Sequence, residues 1–385
     1  MPLPSFIKKE LEERKQSSRL RRLAGSETVG VHVIRDQGKF VNFSSNDYLG
    51  LACDDRVRRA SMACTDRYGT GATASRLITG TGTYHLELES RLAEAMGTQA
   101  ALLFNSGYQA NATIIPALLN RSSLVLSDKL NHNSLLQGAQ LSMATLLRYR
   151  HNDMPHLESL LKKNEGQYGR TLIVTESVFS MDGDRADLEC IIKLAEAYGA
   201  LVMVDEAHAL GVLGRNGMGL CSGKTGIDLV MGTFGKSFGS FGAFAACSAE
   251  MRDYLVNFCG GFIYSTALPP GVIGAAGKSL ELIPEMGAER DRLARNAAYL
   301  RKALKKLGFK TSKSDSPIIP ILIGDEDETL SLSGYLQDQG MFAIAIRPPT
   351  VAAGSSRIRI TLSALHTRQH IDELLNALIN WNGRK

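Results

Sequence analysis

Between residues 100 and 247, short apolar runs alternate with longer amphipathic stretches, and few folds accommodate such a pattern. The apolar runs predict strands at 100–104, 123–127, 145–149, 171–176, 201–205, 229–234 and 243–247. The stretches between them predict helices that end at 119, 142, 163 and 198. This alternation favours an α/β fold with a mostly parallel, seven-stranded sheet covered by helices. Only the strand at 243–247 is expected to run antiparallel, because its connection is short.

The segments outside this region have a different organisation. Helical periodicity predicts helices at 4–23, 54–67, 84–96, 249–259, 270–283, 286–307, 327–339 and 367–381. Alternating valines at 29–33 predict a strand, and a turn at 36–38 leads to a return strand at 39–44. Short strands are predicted at 318–323, 342–346 and 357–362. We therefore expect an N-terminal helix and hairpin arm at 1–40, a large domain at 41–288 and a small α+β domain at 289–385.

The composition of the 385-residue chain argues against several classes of protein. Its net charge of +5 is small and no dense basic stripe accompanies it, so nucleic-acid binding is not expected. No run approaches the ~18 apolar residues that a membrane span needs. The six cysteines form no C-x-x-C pair and no apolar leader is recognisable, which predicts a cytoplasmic protein with reduced thiols. No cluster with the spacing of metal ligands is evident, so no metal site is predicted.

The segment Thr233–Gly239 places Lys236 just after an apolar strand, between glycines and hydroxyl residues. Two interpretations are open: a solvated lysine on a surface loop, or an amine in a pocket, where a lowered pKa lets it form a Schiff base. A P-loop is excluded, because the position that needs its first glycine is Val230. The glycine-rich loop at 69–82 is not a dinucleotide site either, since it follows a helix and not a strand.

Other strand ends carry residues that favour the pocket. Ser106-Gly107-Tyr108 lies between a strand and a helix start, where backbone N–H groups and the helix dipole bind phosphate. Asp205 ends an apolar strand, and a carboxylate there can keep a pyridine nitrogen protonated. His208 follows it closely enough to reach a neighbouring ring oxygen, and His132 is suited to stacking on a planar cofactor. The acid and histidine of this run do not match a metal motif such as H-E-x-x-H.

Together these residues resemble the α-oxoamine synthases, a group of fold-type-I pyridoxal-phosphate enzymes. The resemblance covers nearly the whole chain. Its landmarks, in family order and spacing, are Asn42–Gly50, Asn105–Tyr108, Asn131-His132, Ser177–Gly183, Asp205–His208, Thr233–Gly239, Ile263–Thr266 and Arg357–Leu362. The resemblance implies that family's fold, with a smaller C-terminal domain, and pyridoxal 5'-phosphate as the cofactor.

The resemblance also implies a role for each residue of the cofactor site. Lys236 forms an imine with the cofactor, Asp205 pairs with the pyridinium nitrogen, and His132 stacks on the ring. His132 and His208 join these two as catalytic residues. The remaining contacts to the cofactor come from Ser106, Gly107, Tyr108, Ser180, His208 and Thr233, and from Ser265 and Thr266 of a partner subunit.

A second implied set binds the substrates. Asn46 and Arg359 hold the amino-acid carboxylate, and His132 also contacts the substrate. Arg357 is a close competitor of Arg359, because alternate residues of a strand share one face. Arg21 and Thr350 face the acyl substrate.

The reaction implied by the resemblance is a decarboxylative condensation of L-alanine with a pimeloyl thioester in biotin biosynthesis. The segments Ala345–Val351 and Ser180–Asp184 favour this branch of the family. Coenzyme A and acyl carrier protein stay open as the thioester carrier, and a homodimer with interface active sites is expected. Alternatives are a 2-amino-3-ketobutyrate ligase that uses glycine and acetyl-CoA, or a longer-chain α-oxoamine synthase. A non-catalytic partner subunit is disfavoured, because Lys236 and Asp205 are both present.

Overall fold

The computed structural model of the chain describes residues 4–36 and 38–383. These residues divide into two units. The larger unit comprises 47–180 and 185–291, and the smaller unit comprises 4–46 without 37, 181–184 and 292–383. The smaller unit thus draws on both ends of the chain. The three domain boundaries expected from the sequence stay a prediction.

The strands coincide largely with the apolar runs of the sequence. In chain order they are Glu27–Val29 (β1), His32–Arg35 (β2), Gly38–Asn42 (β3), Ala100–Phe104 (β4), Ser123–Asp128 (β5), Thr145–Tyr149 (β6), Arg170–Glu176 (β7), Leu201–Asp205 (β8), Leu229–Thr233 (β9), Ala243–Cys247 (β10), Ile318–Gly324 (β11), Met341–Phe342 (β12), Ala345–Ile346 (β13) and Ser356–Thr361 (β14).

The helices follow the amphipathic stretches of the sequence, and several begin at a capping side chain, such as Asp54, Asp187 and Thr367. They are Ser5–Gln16 (α1), Asp55–Tyr68 (α2), Thr83–Met96 (α3), Gly107–Leu118 (α4), Asn133–Leu141 (α5), Met154–Lys163 (α6), Leu188–Tyr198 (α7), Ala249–Phe258 (α8), Gly260–Ile263 (α9), Pro270–Glu285 (α10), Gly287–Lys306 (α11), Glu326–Asp338 (α12) and Arg368–Asn382 (α13). Within the described part of the chain, no helix combines the length and apolar character that crossing a membrane demands.

Among the described residues of the larger unit, seven strands form one sheet in the order β4-β10-β9-β8-β7-β5-β6. Neighbours are parallel except where β10 pairs antiparallel with β4 and β9. Every residue of β4, β5 and β10 is buried, which explains why β4 and β10 appear in the sequence as continuous apolar runs. The predicted fold class and the antiparallel direction of 243–247 are confirmed.

The carboxyl ends of the parallel strands meet at one edge of this sheet. There β5 ends at Asp128, β7 at Glu176, β8 at Asp205 and β9 at Thr233. The register places Glu176 directly beside Asp205 on the neighbouring strand. Open α/β sheets bind their ligands at such an edge, so the fold gathers the polar residues of several distant segments there.

The smaller unit contains two sheets of its own. The first has the strand order β1-β2-β3-β12, in which β12 runs parallel to β3. The second has the order β11-β14-β13, and its neighbouring strands are antiparallel. The helices α12 and α13 bury apolar residues, including Leu336 and Leu374. This is the α+β character that the sequence predicts for the C-terminal part.

Two expectations for the N-terminal segment were wrong. The helix expected at 4–23 ends at Gln16, because Ser18 adopts a left-handed backbone and Arg19 forms an ion pair with Glu326 (2.7 Å). The strand expected at 29–33 is a hairpin, since Gly30 has φ +58° and Val29 pairs with His32 across the turn. The turn expected at 36–38 includes Gln37, which lies outside the described residues.

The strand expected at 342–346 was also wrong, because it divides between two sheets. Met341–Phe342 pairs with β3, and Ala345–Ile346 pairs with β14. The partner of Met341–Phe342 is near the other end of the chain, and the partner of Ala345–Ile346 is a later strand of a different sheet. Local periodicity therefore carries no signal for the break between them.

Candidate active site

A cavity of about 170 Å³ lies at the carboxyl edge of the seven-stranded sheet. The ends of β7, β8 and β9, the first turns of α4 and the loop before α5 all contribute to it. Its lining residues are Gly107, Tyr108, Asn111, His132, Ser134, Glu176, Asp205, Ala207, His208, Met231, Thr233 and Lys236. The structure thus brings together seven residues predicted for the cofactor site: Gly107, Tyr108, His132, Asp205, His208, Thr233 and Lys236.

Asp205 is a buried carboxylate, 5% exposed, held by neutral donors. Its Oδ2 accepts a hydrogen bond from Asn111 Nδ2 (2.8 Å), and its Oδ1 accepts one from the Ala207 N–H (2.9 Å). Asn111 Nδ2 also donates to Ser134 Oγ (2.9 Å). Because these donors carry no charge, they orient the carboxylate without neutralising it. The side chain is therefore suited to pair with a cation in the cavity, such as a protonated ring nitrogen.

His132 precedes α5, and its Nδ1 accepts from the Ser134 N–H, which caps the helix. The same nitrogen lies 2.8 Å from Ser134 Oγ. Burial lowers the pKa of His132, although part of the residue stays open to solvent. The charge of Asp205 opposes this shift and that of Lys236 adds to it. A neutral imidazole at the cavity wall can stack on a planar ring without carrying charge toward Lys236.

His208 is oriented by a residue from a different part of the chain. Its Nδ1 lies 2.7 Å from the hydroxyl of Tyr48, which is completely buried. Tyr48 belongs to the polar segment 42–50, which the sequence marks only as one landmark of the family resemblance. The ring of His208 is thus fixed on the cavity wall by a buried hydroxyl.

The N-terminus of α4 forms the part of the cavity suited to an anion. Ser106 caps this helix, because its Oγ accepts from the Gln109 N–H (3.1 Å). A side chain at Gly107 would lie 3.2 Å from Met231, so glycine keeps the helix start close to the strand below. Thr233 Oγ1 accepts from the Gly235 N–H (3.2 Å) and donates to Gly242 O (3.0 Å). Backbone N–H groups and hydroxyls at a helix start are the usual ligands of phosphate.

Glu176 is a cavity residue that sequence reasoning missed. It is 2% exposed and ends β7, beside Asp205. Burial raises the pKa of its carboxyl to about 8, helped by the charge of Asp205 and opposed by that of Lys236. The sequence did hold a signal, since the apolar strand 171–176 ends in an acid, as does the strand that ends at Asp205. Asn111, Ser134 and Tyr48 were missed as well, and no local pattern marks them.

Four predicted cofactor residues are not among those that line the cavity: Ser106, Ser180, Ser265 and Thr266. The Ser180 N–H donates to Glu176 Oε2 (3.2 Å), immediately behind the cavity wall. Ser265 Oγ accepts from Gln109 Nε2 (2.5 Å), and Thr266 O accepts from Asn105 Nδ2 (3.0 Å). The last two were expected to act in a partner's site, so a single chain does not test their role.

Of the predicted substrate residues, His132 lines the cavity, and the other four lie in the smaller unit, where they form two pairs. Both Nη atoms of Arg359 donate to Asn46 Oδ1 (3.2 Å each), and Arg21 Nη2 donates to Thr350 Oγ1 (2.9 Å). Arg357, the competitor of Arg359, makes an ion pair through Nη1 with Asp182 Oδ1 (2.7 Å). The two arginines of β14 therefore have different partners.

Comparison with known proteins places the chain in a family. Residues 38–378 match the family described as aminotransferase class I and II. The chain belongs to that family. Two similar members are named 8-amino-7-oxononanoate synthase. The one from Geobacter sulfurreducens is 47% identical over 96% of this chain and 95% of its own, and the one from Gluconacetobacter diazotrophicus is 49% identical over 90% and 89%.

Solved structures of the family share the fold. A serine palmitoyltransferase from Sphingomonas wittichii has a TM-score of 0.93 at 29% identity, covering 100% of this chain and 98% of its own. An 8-amino-7-oxononanoate synthase from Francisella tularensis has a TM-score of 0.78 at 27% identity, covering 90% and 98%. A structure described as SPT with PLP has a TM-score of 0.91 at 30% identity, covering 99% of this chain and 97% of its own. The predicted fold of pyridoxal-phosphate enzymes is confirmed.

The two kinds of similarity favour different relatives. A TM-score compares backbone traces, whereas identity over nearly the whole chain also compares the side chains that choose substrates. The identities of 47% and 49% therefore bear more directly on substrate choice than the TM-score of 0.93 does.

The residues present fit pyridoxal phosphate. The amine of Lys236, the carboxylate of Asp205 and the start of α4 line one cavity. These groups match the aldehyde, the ring nitrogen and the phosphate of the cofactor, respectively. Two buried oxygens at the cavity, Asn111 Oδ1 and Glu176 Oε1, have no hydrogen-bond partner among the described residues. Buried polar atoms in this state are typical of a site that a ligand completes.

Proposed function

We propose that the chain condenses L-alanine with a pimeloyl thioester to give 8-amino-7-oxononanoate, CO2 and a free thiol, a step of biotin biosynthesis. In this reaction the bond between Cα and the carboxylate of alanine breaks, and a bond from Cα to the acyl carbon forms. The thiolate leaves and takes up a proton. The proposal rests on one observation above others: Lys236 and Asp205 line one cavity in a chain nearly half identical to synthases of that name.

Pyridoxal phosphate is the cofactor of this enzyme, and when bound it draws electrons away from the substrate Cα. In the proposed site Lys236 would hold the cofactor covalently until the substrate amine displaces it, and the freed Lys236 amine would then carry a proton to and from Cα. Asp205 keeps the proton on the ring nitrogen, and His132 covers one ring face. The ring oxygen is contacted by Ser180 and His208, and the phosphate site is formed by Ser106, Gly107, Tyr108 and Thr233.

We place the substrates by the two pairs of the smaller unit. Arg359 and Asn46 bind the alanine carboxylate, because a guanidinium and an amide offer donors that match its two oxygens. Arg357 is less suited to this role, since its charge is already balanced by Asp182. Arg21 and Thr350 contact the pimeloyl chain, whose far end is a second carboxylate that a cation can bind.

We also propose a homodimer in which Ser265 and Thr266 complete the partner's site. This proposal is supported by two large apolar residues that flank those positions in space or sequence. Tyr264, next to Ser265 in the sequence, is 86% exposed. Ile78 is 76% exposed and follows Ser75, which forms a β-bridge with Thr266. Contiguous exposed apolar patches mark protein–protein interfaces, and we infer that these two side chains belong to such a patch. Sedimentation of the wild-type protein tests it.

The decisive experiment is a product assay with the purified protein, PLP and L-alanine. Pimeloyl-CoA and pimeloyl-acyl carrier protein are supplied in separate reactions, and the mass of the product is measured by mass spectrometry. We expect the mass of 8-amino-7-oxononanoate. The variant Lys236→Ala should lower turnover on the order of 10³-fold or more and abolish covalent retention of PLP, because it removes both the attachment and the proton carrier.

The matched control is Lys224→Ala, which removes a lysine that forms a surface ion pair with Glu189 (3.6 Å). Its turnover and PLP content should equal those of the wild type. If Lys236→Ala kept both properties, the assignment of the amine would be wrong.

One alternative has a specific observation in its favour. A serine palmitoyltransferase shares the fold with a TM-score of 0.93 at 29% identity, so serine and a longer acyl chain are the substrates of this alternative. The product assay therefore includes L-serine with palmitoyl-CoA, and glycine with acetyl-CoA. A product from either pair, with none from alanine and pimeloyl thioester, would replace the proposed reaction with the corresponding one.

A further inference from the structure

The carboxylate of Glu176 connects the two loops that carry proposed cofactor contacts. Glu176 ends β7, and its side chain lines the cavity while remaining only 2% exposed. Its Oε2 accepts a hydrogen bond from the N–H of Ser180, in the loop that follows β7 (3.2 Å). The backbone N–H of His132, in the loop that follows β5, also stabilises the charge of this carboxylate.

The backbone of Glu176 reinforces the same connection. Its N–H donates to the side-chain oxygen of Asn131, the residue before His132 (3.2 Å). Asn131 Nδ2 in turn donates to Ser127 Oγ (2.8 Å) and to Val174 O (2.7 Å). The loop before α5 is therefore attached to the end of β7 through both the main chain and the side chain of Glu176.

We propose that Glu176 is a positioning residue of the cofactor site, which fixes the backbone at His132 and at Ser180 so that both contact the bound cofactor. The inference rests on the proposed roles of those two residues. Glu176 itself affects the cofactor only indirectly, through these two residues. Its position directly beside Asp205 on the neighbouring strand keeps both loops next to that carboxylate.

The distribution of hydrogen bonds also indicates where a proton resides at the cavity. Both oxygens of Asp205 accept hydrogen bonds from neutral donors, whereas Glu176 Oε1 accepts none from the described residues. Two adjacent buried carboxylates do not both stay ionised readily, and the one with an oxygen that accepts no hydrogen bond takes the proton more readily. The raised pKa of Glu176 agrees with this, since burial and the charge of Asp205 are its main causes. A neutral Glu176 leaves Asp205 as the charged partner of the cofactor.

The test compares two replacements of similar size. Glu176→Gln keeps an oxygen that can accept from Ser180, and Glu176→Met keeps the volume but removes the acceptor. PLP is added to the apoprotein of each, and its Kd and the circular dichroism of the bound cofactor are measured. We expect Glu176→Met to raise the Kd about tenfold or more and to weaken the dichroism, because buried N–H groups lose their acceptor. Glu176→Gln should stay within about threefold of the wild type.

A neighbouring acid supplies the control. Glu206 is completely buried, accepts from the Cys221 N–H (3.1 Å) and is not among the residues that line the cavity. Glu206→Met should lower thermal stability while leaving the Kd for PLP unchanged. If Glu176→Met bound PLP with the Kd and dichroism of the wild type, or if Glu176→Gln were impaired equally, the positioning role would be overturned. These readouts involve no substrate, so a failure of the proposed reaction would not be mistaken for a failure of this inference.

Discussion

The buried hydroxyl of Tyr48 helps to orient His208, since it lies 2.7 Å from Nδ1 of that ring. Tyr48→Phe keeps the ring and removes this contact. We expect the pH at which the visible absorbance of bound PLP titrates to shift, and kcat to fall about tenfold, since a histidine near the ring oxygen would be less well oriented. Absorbance titrations between about pH 5 and 9, which span the ordinary range of a histidine, and steady-state rates measure both.

Tyr149→Phe serves as the control at the same scale. Tyr149 is also completely buried, but its hydroxyl faces Thr175 and the residue does not line the cavity. Its removal should leave the titration unchanged. A Tyr48→Phe protein that lost stability but titrated like the wild type would reduce the hydroxyl to a purely structural role.

At the level of elements, β14 carries two arginines with different partners, and we propose different roles for them. Arg357 pairs with Asp182, and removal of one partner from such a largely buried pair costs about 3 kcal/mol. We expect Arg357→Met to lower the free energy of unfolding in urea by about that amount, with an unchanged KM for L-alanine. Arg359→Met should instead raise that KM by about tenfold to a hundredfold, because it removes charge-assisted hydrogen bonds to the carboxylate.

The two variants control for each other, since both remove a guanidinium from the same strand. Each arginine is 7% exposed, so burial alone does not distinguish them. The opposite result, with the KM effect at Arg357 and the stability effect at Arg359, would exchange their roles.

At the scale of the whole molecule, a buried histidine makes folding sensitive to acid. His366 is 1% exposed and stacks on Phe43 at 4.6 Å. Burial lowers its pKa to about 4, from 6.5 in the unfolded chain, so between these values the unfolded chain binds more protons. The contribution of His366 to stability is therefore complete above pH 6.5 and is lost as the pH falls toward 4. Its full size is about 3 kcal/mol.

The measurement is urea unfolding of the wild type and of His366→Asn from about pH 4 to 8, which covers both pKa values. The asparagine retains an acceptor for the Ser363 N–H, which His366 Nδ1 accepts at 2.9 Å. We expect the stability difference between the two proteins to be largest above pH 6.5 and to shrink in acid. Asp47 and Glu176 also have raised pKa values, and they affect both proteins alike. A difference that is constant with pH would contradict the assignment.

Much of this protein could be predicted from residues that are close together in the chain. Alternation of apolar runs and amphipathic stretches is a local property, so it predicted the strands, the helices and the parallel sheet. Asp205 and Lys236 were candidates because each lies at or just after the end of an apolar strand, and the carboxyl ends of parallel strands meet at one edge; the family resemblance then gave them their roles. That geometry brings them to one cavity without further information.

Tertiary structure alone decided the features that depend on contacts between distant segments. Glu176 and Tyr48 act on His132 and His208 across gaps of dozens of residues, and Arg357 was separated from Arg359 by an ion pair to Asp182. The early end of α1 and the division of β12 from β13 likewise depend on long-range partners. The periodicity of a sequence shows which face of a helix or strand is apolar. It does not show which distant residues pack against that face, because those contacts form only when the chain folds.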